Sequence, residues 1–245
     1  MSGSFVVVRA LVVGTLGVAV LAGGCGGSSS GSASASATGS SSPSVAATSR
    51  VAVPSPATPR VPKSYTNPFG FTVTYDNAVL RQLFGREVAT SDRFGITPGG
   101  QAYRATRVGL TGFVDKGASK VVSSATDAGD VTVIGWLATS AVTKPTLAEL
   151  QSAPYLFWHG QRTPAVSLID KADGPTQIEQ ATIGGLKGFC AVQHATGRTN
   201  VAYLLFDGDR LYTIKYQAKD AHWAKLGPVL ETVAQSLHVA GSSSQ

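Results

Sequence analysis

Nucleophilic chemistry in this chain would rest on Cys190 and His194, which lie four residues apart in a predicted strand, residues 187–194. A histidine beside a cysteine can activate the thiol as a nucleophile. On a strand, residues four apart lie on the same face about 13 Å from each other, which is too far for a hydrogen bond. The apolar neighbours of Cys190 indicate a sheet interior, and we expect a buried free thiol that acts as a small hydrophobic side chain.

Other catalytic and metal-binding patterns are missing from the sequence. Residues 64–240 contain no Gly-x-Ser-x-Gly motif, and the four histidines of the chain fall in different elements without an evident carboxylate partner. Residues 184–188 lack Walker spacing and predict a hairpin turn. Residues 207–209 offer too few ligands for calcium, and the cysteines and histidines have no zinc spacing. We therefore expect a non-enzymatic protein without metal or cofactor. A Ser-His-Asp site formed in space remains the weakest alternative.

The most aromatic stretch of the chain, residues 155–159, has two interpretations. Tyr155 and Trp158, with Arg162 nearby, are of the residue types that dominate binding hot spots, so they are the candidate binding surface. The alternative is core packing beneath a long connection. We favour the core for Phe157 and leave Trp158 open.

Charge and composition exclude some partners. The net charge is +6 and the pI is about 9.4, yet no run of adjacent Lys and Arg residues occurs. Nucleic-acid binding requires a clustered basic face, so we expect no nucleic-acid partner. A folded part of about 175 residues can bury a substantial core, and one domain is the default expectation.

The N-terminal residues indicate export. An apolar segment, residues 10–22, follows a short stretch with one positive charge, Arg9, and is too short for a transmembrane helix. Small residues then lead into cysteine in Leu-Ala-Gly-Gly-Cys, residues 21–25. This stretch resembles a bacterial lipobox, in the form typical of high-GC Gram-positive bacteria. The resemblance implies a diacylglycerol on Cys25, removal of residues 1–24, and anchoring on the extracytoplasmic face of the cell membrane. The alternative is a plain secretory signal that is cut near Ala22.

A low-complexity segment separates the anchor from the folded part. Residues 26–63 are almost entirely Ser, Ala, Gly, Thr, Pro and Val, and they include no aromatic residue. Such a segment cannot bury enough apolar surface to offset its ordering entropy, so we expect disorder. The predicted organisation is a signal peptide (1–24), a lipidated cysteine with a linker (25–63) and a globular domain (64–240).

Patterning in the globular part predicts an α+β fold, an antiparallel β-sheet with packed helices. Alternation and turn residues predict a meander of four strands late in the chain, and capping-box spacing at Thr146 and Glu149 predicts a helix start. Apolar residues spaced by three and four predict a last helix, interrupted at Pro228. The predicted strands are residues 71–75, 101–113, 131–138, 176–183, 187–194, 200–206 and 210–217; the predicted helical segments are 78–84, 145–151 and 220–237; a glycine-containing loop is predicted up to residue 100.

Both ends of the globular part resemble a known family. Residues 65–75, Tyr-x-Asn-x-x-Gly-Phe-x-Val-x-Tyr, are similar to the first strand of the PsbP-like group, which includes lipoproteins of the mycobacterial LpqN type. The C-terminal part is also similar to this group. It contains Gly185-x-x-Gly188, then Leu-Tyr-Thr-Ile-Lys-Tyr at 211–216, then Trp-x₅-Val-Leu-x-x-Val-x-x-Ser-Leu at 223–237. The resemblance implies a PsbP-like sandwich and a binding or accessory role, and it carries no catalytic motif.

Three functional hypotheses follow. The first is a lipid-anchored, non-enzymatic domain that binds an envelope protein or component. The second is a carrier of a small apolar ligand in a pocket between sheet and helix. The third is an envelope hydrolase. A filled sheet–helix core with an exposed apolar patch favours the first, a large apolar cavity the second, and a cleft with converging histidine and carboxylate the third.

Overall fold

The structure is a computed structural model of the 245-residue chain. It describes residues 52–96, 101–118, 121–122, 125–126, 129–160 and 166–240. The predicted signal peptide, Cys25 and the linker up to residue 51 lie outside the described residues, so the predictions about them stay predictions.

Strands make up 56% of the described residues, and this finding corrects the predicted fold class. The α+β prediction with packed helices is wrong, because the described part is mainly β and contains two α-helices. The helices are α1 (Leu147–Ser152) and α2 (Asp220–Gln235), and the strands are β1 (Pro62–Thr66), β2 (Phe71–Asp76), β3 (Leu80–Ala89), β4 (Arg93–Ile96), β5 (Ala102–Asp115), β6 (Val121–Val122), β7 (Ala125–Thr126), β8 (Gly129–Ala138), β9 (Phe157–His159), β10 (Val166–Ser167), β11 (Thr176–Ile183), β12 (Leu186–Ala195), β13 (Arg198–Asp207), β14 (Arg210–Lys219) and β15 (His238–Val239).

One large antiparallel sheet carries the fold. Its strand order is β10-β9-β4-β5-β8-β14-β13-β12-β11, and β3 pairs with β5 beside β4. The sheet curves into a half-barrel. A three-stranded sheet, β1-β2-β15, and the short pair β6-β7 complete the described strands.

The predicted meander of four strands is confirmed as β11 to β14, each paired antiparallel with the next. Its first turn places Gly184 at φ 56° and Gly185 at φ 82°. Two successive left-handed residues are what a two-residue type I′ hairpin requires, and glycine adopts that conformation without a steric cost.

Alternation along the strands gives the large sheet two buried faces. On β13, Tyr203 belongs to one hydrophobic core and Leu204 to the other. We call the side of Tyr203 the helix face, because Leu230 and other apolar residues of α2 pack there. The side of Leu204 is the far face, where Leu150 of α1 joins the second core.

The two predicted helices are confirmed, but α2 continues through Pro228, where the sequence predicts an interruption. Thr146 caps α1 through a capping box: its hydroxyl accepts from the backbone N–H of Glu149, whose carboxylate accepts from the backbone N–H of Thr146. The α2 helix runs from Asp220 to Gln235 with Pro228 inside it. The missing N–H of Pro228 does not end the helix, because its apolar residues are held on the helix face of the sheet.

Two segments differ from the sequence-based expectation. The helical turn predicted for residues 78–84 is wrong, since β3 begins at Leu80 and continues to Ala89. The predicted loop up to residue 100 contains the rest of β3 and β4. Pairing with the long strand β5 decides the outcome, because this pairing satisfies backbone groups that short-range patterning leaves open.

Part of the predicted linker is packed against the domain. The backbone N–H of Ala57 donates to the carbonyl of Pro228 at 2.9 Å, and the hydroxyl of Thr232 donates to the carbonyl of Ala57 at 2.7 Å. Nearer β1, the backbone N–H of Arg60 donates to the carboxylate of Asp76 at 3.0 Å. For residues 52–61 the structure therefore gives packing where the composition predicts disorder, because the backbone finds partners on α2 and β2.

Candidate functional site

The aromatic stretch lies mostly inside the fold. Phe157 is 2% exposed in the far-face core, which confirms the core interpretation for this residue. Trp158 is 5% exposed, and a methyl group added at Gly95 would lie 2.4 Å from its indole ring. Tyr155 is half-buried, and Arg162 lies outside the described residues. A binding surface at these positions stays a prediction, and the buried indole of Trp158 offers little area for a partner to contact.

Cys190 is buried as predicted. It is a free thiol, 2% exposed, in the core of the helix face. Burial raises the pKa of Cys190 to about 12, although the hydroxyl of Tyr203 opposes the shift. The thiolate that nucleophilic chemistry needs is therefore scarce at neutral pH. His194 lies farther along the same strand and is exposed.

A buried carboxyl that the sequence analysis missed lies beside Cys190. Glu231 of α2 is 1% exposed and faces the sheet. Its carboxyl oxygens accept hydrogen bonds from the hydroxyl of Tyr203 at 2.8 Å, the hydroxyl of Tyr216 at 2.5 Å and the amide of Gln235 at 2.5 Å. The spacing of Gly227 and Ala234 around Glu231 places small residues on the same helix stripe, which is the sequence signal that could have indicated its burial.

The buried cluster around Glu231 has a structural role. Burial raises the pKa of Glu231, and its three hydrogen-bond donors oppose that shift. Burial likewise raises the pKa of Tyr203 and of Tyr216. Glu231, Tyr203 and Tyr216 are each 2% exposed or less, so no substrate can reach them. The cluster fixes where α2 lies on the sheet, because a shift of the helix would leave these buried polar groups without partners.

A second polar chain brings a histidine and a carboxylate together. The hydroxyl of Thr199 lies 2.9 Å from Nδ1 of His194 and 3.2 Å from a carboxylate oxygen of Asp220. This order resembles a hydrolytic triad, but Thr199 is fully buried. Since a nucleophile must contact its substrate, the buried hydroxyl of Thr199 cannot act as one. It joins the β12–β13 hairpin to the first residue of α2.

In the described ranges, no group of three His, Cys, Asp or Glu side chains is arranged to hold a metal ion. None of the helices in these ranges has the length and apolar character of a membrane span.

Exposed apolar side chains gather on one edge strand. Leu83 and Phe84 are each 38% exposed and Val88 is 37% exposed, and all three belong to β3. Among the described strands, β3 pairs only with β5, so its outer edge has no paired strand. A bulge between Gln82 and Phe84 leaves Leu83 outside the regular pairing. We call Leu83, Phe84 and Val88 the β3 patch.

The register of β3 shows which face the patch occupies. Phe84 lies opposite Gly112, and Val88 lies opposite Val108, which belongs to the far-face core. The ring of Phe84 covers Gly112, because a methyl group added there would lie 2.5 Å from the ring. Most of the patch therefore extends the far face to the open edge of the sheet.

Two arginines share that face. Arg81 lies opposite Val114 and Arg86 opposite Leu110, on the same side of β3 as Phe84 and Val88. Both are exposed, and within the described part of the chain neither guanidinium makes a hydrogen bond or an ion pair. The edge strand thus presents apolar and cationic side chains together.

A third cation lies deeper on the far face. Lys215 of β14 is half-buried, and burial lowers its pKa. Asp130 and Asp173 act on it electrostatically in one direction and Arg198 in the other. Two acids and two bases leave the neighbourhood of Lys215 close to neutral, unlike the side of β3 that carries Arg81 and Arg86.

The sequence analysis missed β3 as a site because it predicted a helical turn and a loop there. The alternation of Phe84, Arg86 and Val88 is the signal that could have indicated a strand with one mixed apolar and basic side. Gly85 and the bulge interrupt that pattern at its start.

Comparisons with known proteins give distant likenesses. No protein-family model matches the chain, and no curated protein matches it. A crystal structure from Bacteroides thetaiotaomicron is similar over 74% of this chain, with 11% identity and a TM-score of 0.37, and the chain spans about half of that protein, 49%. The solution structure of PsbP from Synechocystis is similar over 73% of this chain and 92% of its own, with 16% identity and a TM-score of 0.36.

An uncharacterized Mycobacterium smegmatis protein, an Rv0999 ortholog, is similar over 64% of this chain and 87% of its own, with 8% identity and a TM-score of 0.28. PsbP is the group that the two ends of the domain resemble in sequence. With TM-scores below 0.5, none of the three structures carries an argument about what this chain does.

Proposed function

We propose that this chain is a lipid-anchored protein of the cell envelope whose domain binds a protein partner, without catalysis, at the β3 patch. The observation that carries the proposal is the placement of exposed apolar residues. Of the large apolar side chains exposed in the described ranges, Leu83, Phe84 and Val88 share one edge strand, and only Val61 lies elsewhere. Apolar surface on an open edge costs solubility and invites unwanted pairing, so a partner that covers it explains its presence.

The alternatives have weaker support. A carrier would need a pocket between sheet and helix, but that interface holds large buried side chains such as Tyr212 and Leu230, together with the Glu231 cluster. A hydrolase would need an accessible nucleophile, but Cys190 is 2% exposed and Thr199 is fully buried. A filled helix face with an exposed patch elsewhere favours the partner-binding hypothesis.

The anchor half of the proposal rests on residues 21–25, Leu-Ala-Gly-Gly-Cys. Two acyl chains on Cys25 would hold the protein stably on a membrane, whereas one chain would not.

The anchor is tested by mass and phase partitioning of the protein expressed in a related bacterium. Wild type should carry a diacylglycerol mass and partition into detergent, and the Cys25→Ala variant should do neither. If both proteins are released without lipid, the anchor half of the proposal is refuted.

Partner binding is tested by a photo-reactive amino acid placed at single sites in living cells. Reporters at Phe84 and at Val88 should each yield the same protein adduct, whereas a reporter at His222, which is exposed on α2, should not. The yield of this adduct should fall when Cys25→Ala removes the anchor. A reporter at Phe84 that yields no more adduct than the one at His222 would refute the proposed docking site.

A further inference from the structure

The chemistry of β3 narrows the kind of partner that fits it. Along its far-face side the strand presents Arg81, Phe84, Arg86 and Val88, in positions fixed by the register with β5. Cationic and apolar side chains therefore alternate along one side of an open edge. A partner that covers this side must offer acidic groups for the arginines and apolar groups for Phe84 and Val88.

The backbone of β3 adds a second requirement. From Phe84 to Ala89 the pairing with β5 is regular, and the bulge lies before this segment. Every second residue of such an edge strand directs its N–H and C=O groups outward, where only another extended chain can pair with them in series. Peptides that add to a sheet edge obtain affinity from these main-chain hydrogen bonds and specificity from alternate side chains.

The charges argue against a second copy of this chain as the occupant. Antiparallel pairing of β3 with itself would bring arginines of the two copies close together, and like charges across a strand pair destabilise it. Glu87 does not offset them, because it lies on the helix-face side, where it pairs with Arg107. An acidic strand meets no such repulsion.

We propose that the partner contributes an extended acidic segment that adds as a strand to the outer edge of β3, with its carboxylates facing Arg81 and Arg86 and its apolar side chains contacting Phe84 and Val88. This inference rests on the proposed function and specifies the partner of the same site. The electrostatic contribution to binding of the acidic segment should weaken as the salt concentration rises, because exposed charges are screened.

The probe is a fluorescent peptide of alternating Val and Glu, compared by anisotropy with its Val and Gln analogue. The protein is the full lipid-anchored chain in detergent micelles. We expect the Glu peptide to bind about tenfold more tightly than the Gln peptide at low salt, because two exposed charge pairs each strengthen binding modestly. The double variant Arg81→Gln/Arg86→Gln should remove most of this preference. Lys63→Gln, which removes an exposed charge from β1, should leave it unchanged.

A Glu peptide that is N-methylated at alternate amides tests strand addition. We expect it to bind at least about tenfold more weakly, since methylation removes main-chain hydrogen bonds to β3. Equal binding of the Glu and Gln peptides, or equal binding of the methylated peptide, overturns the inference. Vesicles of phosphatidylglycerol, tested with the Cys25→Ala variant, provide the competing occupant. If the arginine double variant loses vesicle binding but not peptide binding, the surface docks lipid and the inference is wrong.

These outcomes are separable from failure of the proposed function. If the photo-reporter at Phe84 captures a partner while the peptides fail, β3 is a docking site for a partner of other chemistry. If the reporter captures nothing, the docking site itself is refuted.

Discussion

Replacing Glu231 with leucine tests whether the buried polar cluster positions α2. The carboxyl is 1% exposed and accepts three hydrogen bonds, two of them from Tyr203 and Tyr216. Without it, both tyrosine hydroxyls lose their carboxylate acceptor while they remain in the core. Leaving a buried donor unsatisfied costs about 1–3 kcal/mol, so the loss of the acceptor for two hydroxyls in Glu231→Leu should lower the free energy of unfolding by about 2–6 kcal/mol.

Removing the tyrosine hydroxyls should rescue the Glu231→Leu variant. If orphaned hydroxyls cause the loss, the triple variant Glu231→Leu/Tyr203→Phe/Tyr216→Phe should regain about half of it or more, because an apolar replacement of a whole buried polar group is often nearly neutral. The variant Tyr203→Phe/Tyr216→Phe with Glu231 intact is the matched control. It should be less stable than the triple variant, because it leaves a buried carboxyl with only Gln235 as donor.

The assay is urea unfolding followed by tryptophan fluorescence, with all four proteins compared as a thermodynamic cycle. A triple variant that is no more stable than Glu231→Leu would refute the reasoning. In that case packing of the larger side chains, rather than satisfaction of the hydroxyls, would account for the loss.

Three further predictions concern buried positions. Burial raises the pKa of Glu231 above its ordinary value of 4.5, so the folded state holds this proton more tightly than the unfolded state. The resulting stability is fully present below pH 4.5 and is lost as the pH rises through the folded-state pKa, and urea unfolding of Glu231→Gln across that range should lack this loss. Because burial raises the pKa of Cys190 to about 12, alkylation of its peptide at pH 8, read by mass spectrometry, should follow global unfolding, and rapid alkylation of the folded protein would contradict its burial. Gly188→Ala would place a methyl group 1.8 Å from the carbonyl oxygen of Leu204, so it should cost about 2–3 kcal/mol or more in thermal unfolding, whereas Gly197→Ala, at φ 74° with nothing within 4 Å, should cost only about 1–2 kcal/mol.

The sequence predicts the C-terminal half of the fold well for a physical reason. Between β11 and α2, turns such as Gly184-Gly185 separate apolar alternations, so the signals for each strand and each turn are local. The capping box at Thr146 is local as well, and the structure confirms it. Where three or four neighbouring residues determine a conformation, inspection of the sequence is sufficient.

The N-terminal half is not determined in that way. The strand β3 contains a glycine and a bulge, and its conformation depends on β5, whose residues lie about thirty positions away in the chain. Packing of residues 52–61 depends on Pro228 and Thr232, which are still more distant. The composition of this segment indicates that it cannot form a core of its own, and the structure agrees with that. Composition carries no information about the surface that α2 and β2 offer to the segment.

The candidate site was missed for a related reason. Glu231 and the β3 patch are both exceptions to patterning: a carboxyl on a buried helix stripe and apolar side chains on an exposed edge. A pattern of apolar and polar residues does not reveal such residues, because each face is assigned as apolar or polar from most of its residues. The three-dimensional structure separates them, since Glu231 has three hydrogen-bond partners whereas Phe84 retains an open, 38% exposed surface.

The difference between the internally bonded Glu231 and the exposed β3 patch indicates where the domain contacts other molecules. An exception that is satisfied inside the molecule, such as Glu231, is explained by folding alone. Leu83 and Val88 are not explained in this way, because each leaves more than one-third of its surface exposed on an open edge, where a charged or short strand would protect the sheet better. Since this exposed apolar surface reduces solubility, its presence on an edge that also carries Arg81 and Arg86 favours a role outside the fold, and contact with a partner is the role that uses both kinds of side chain.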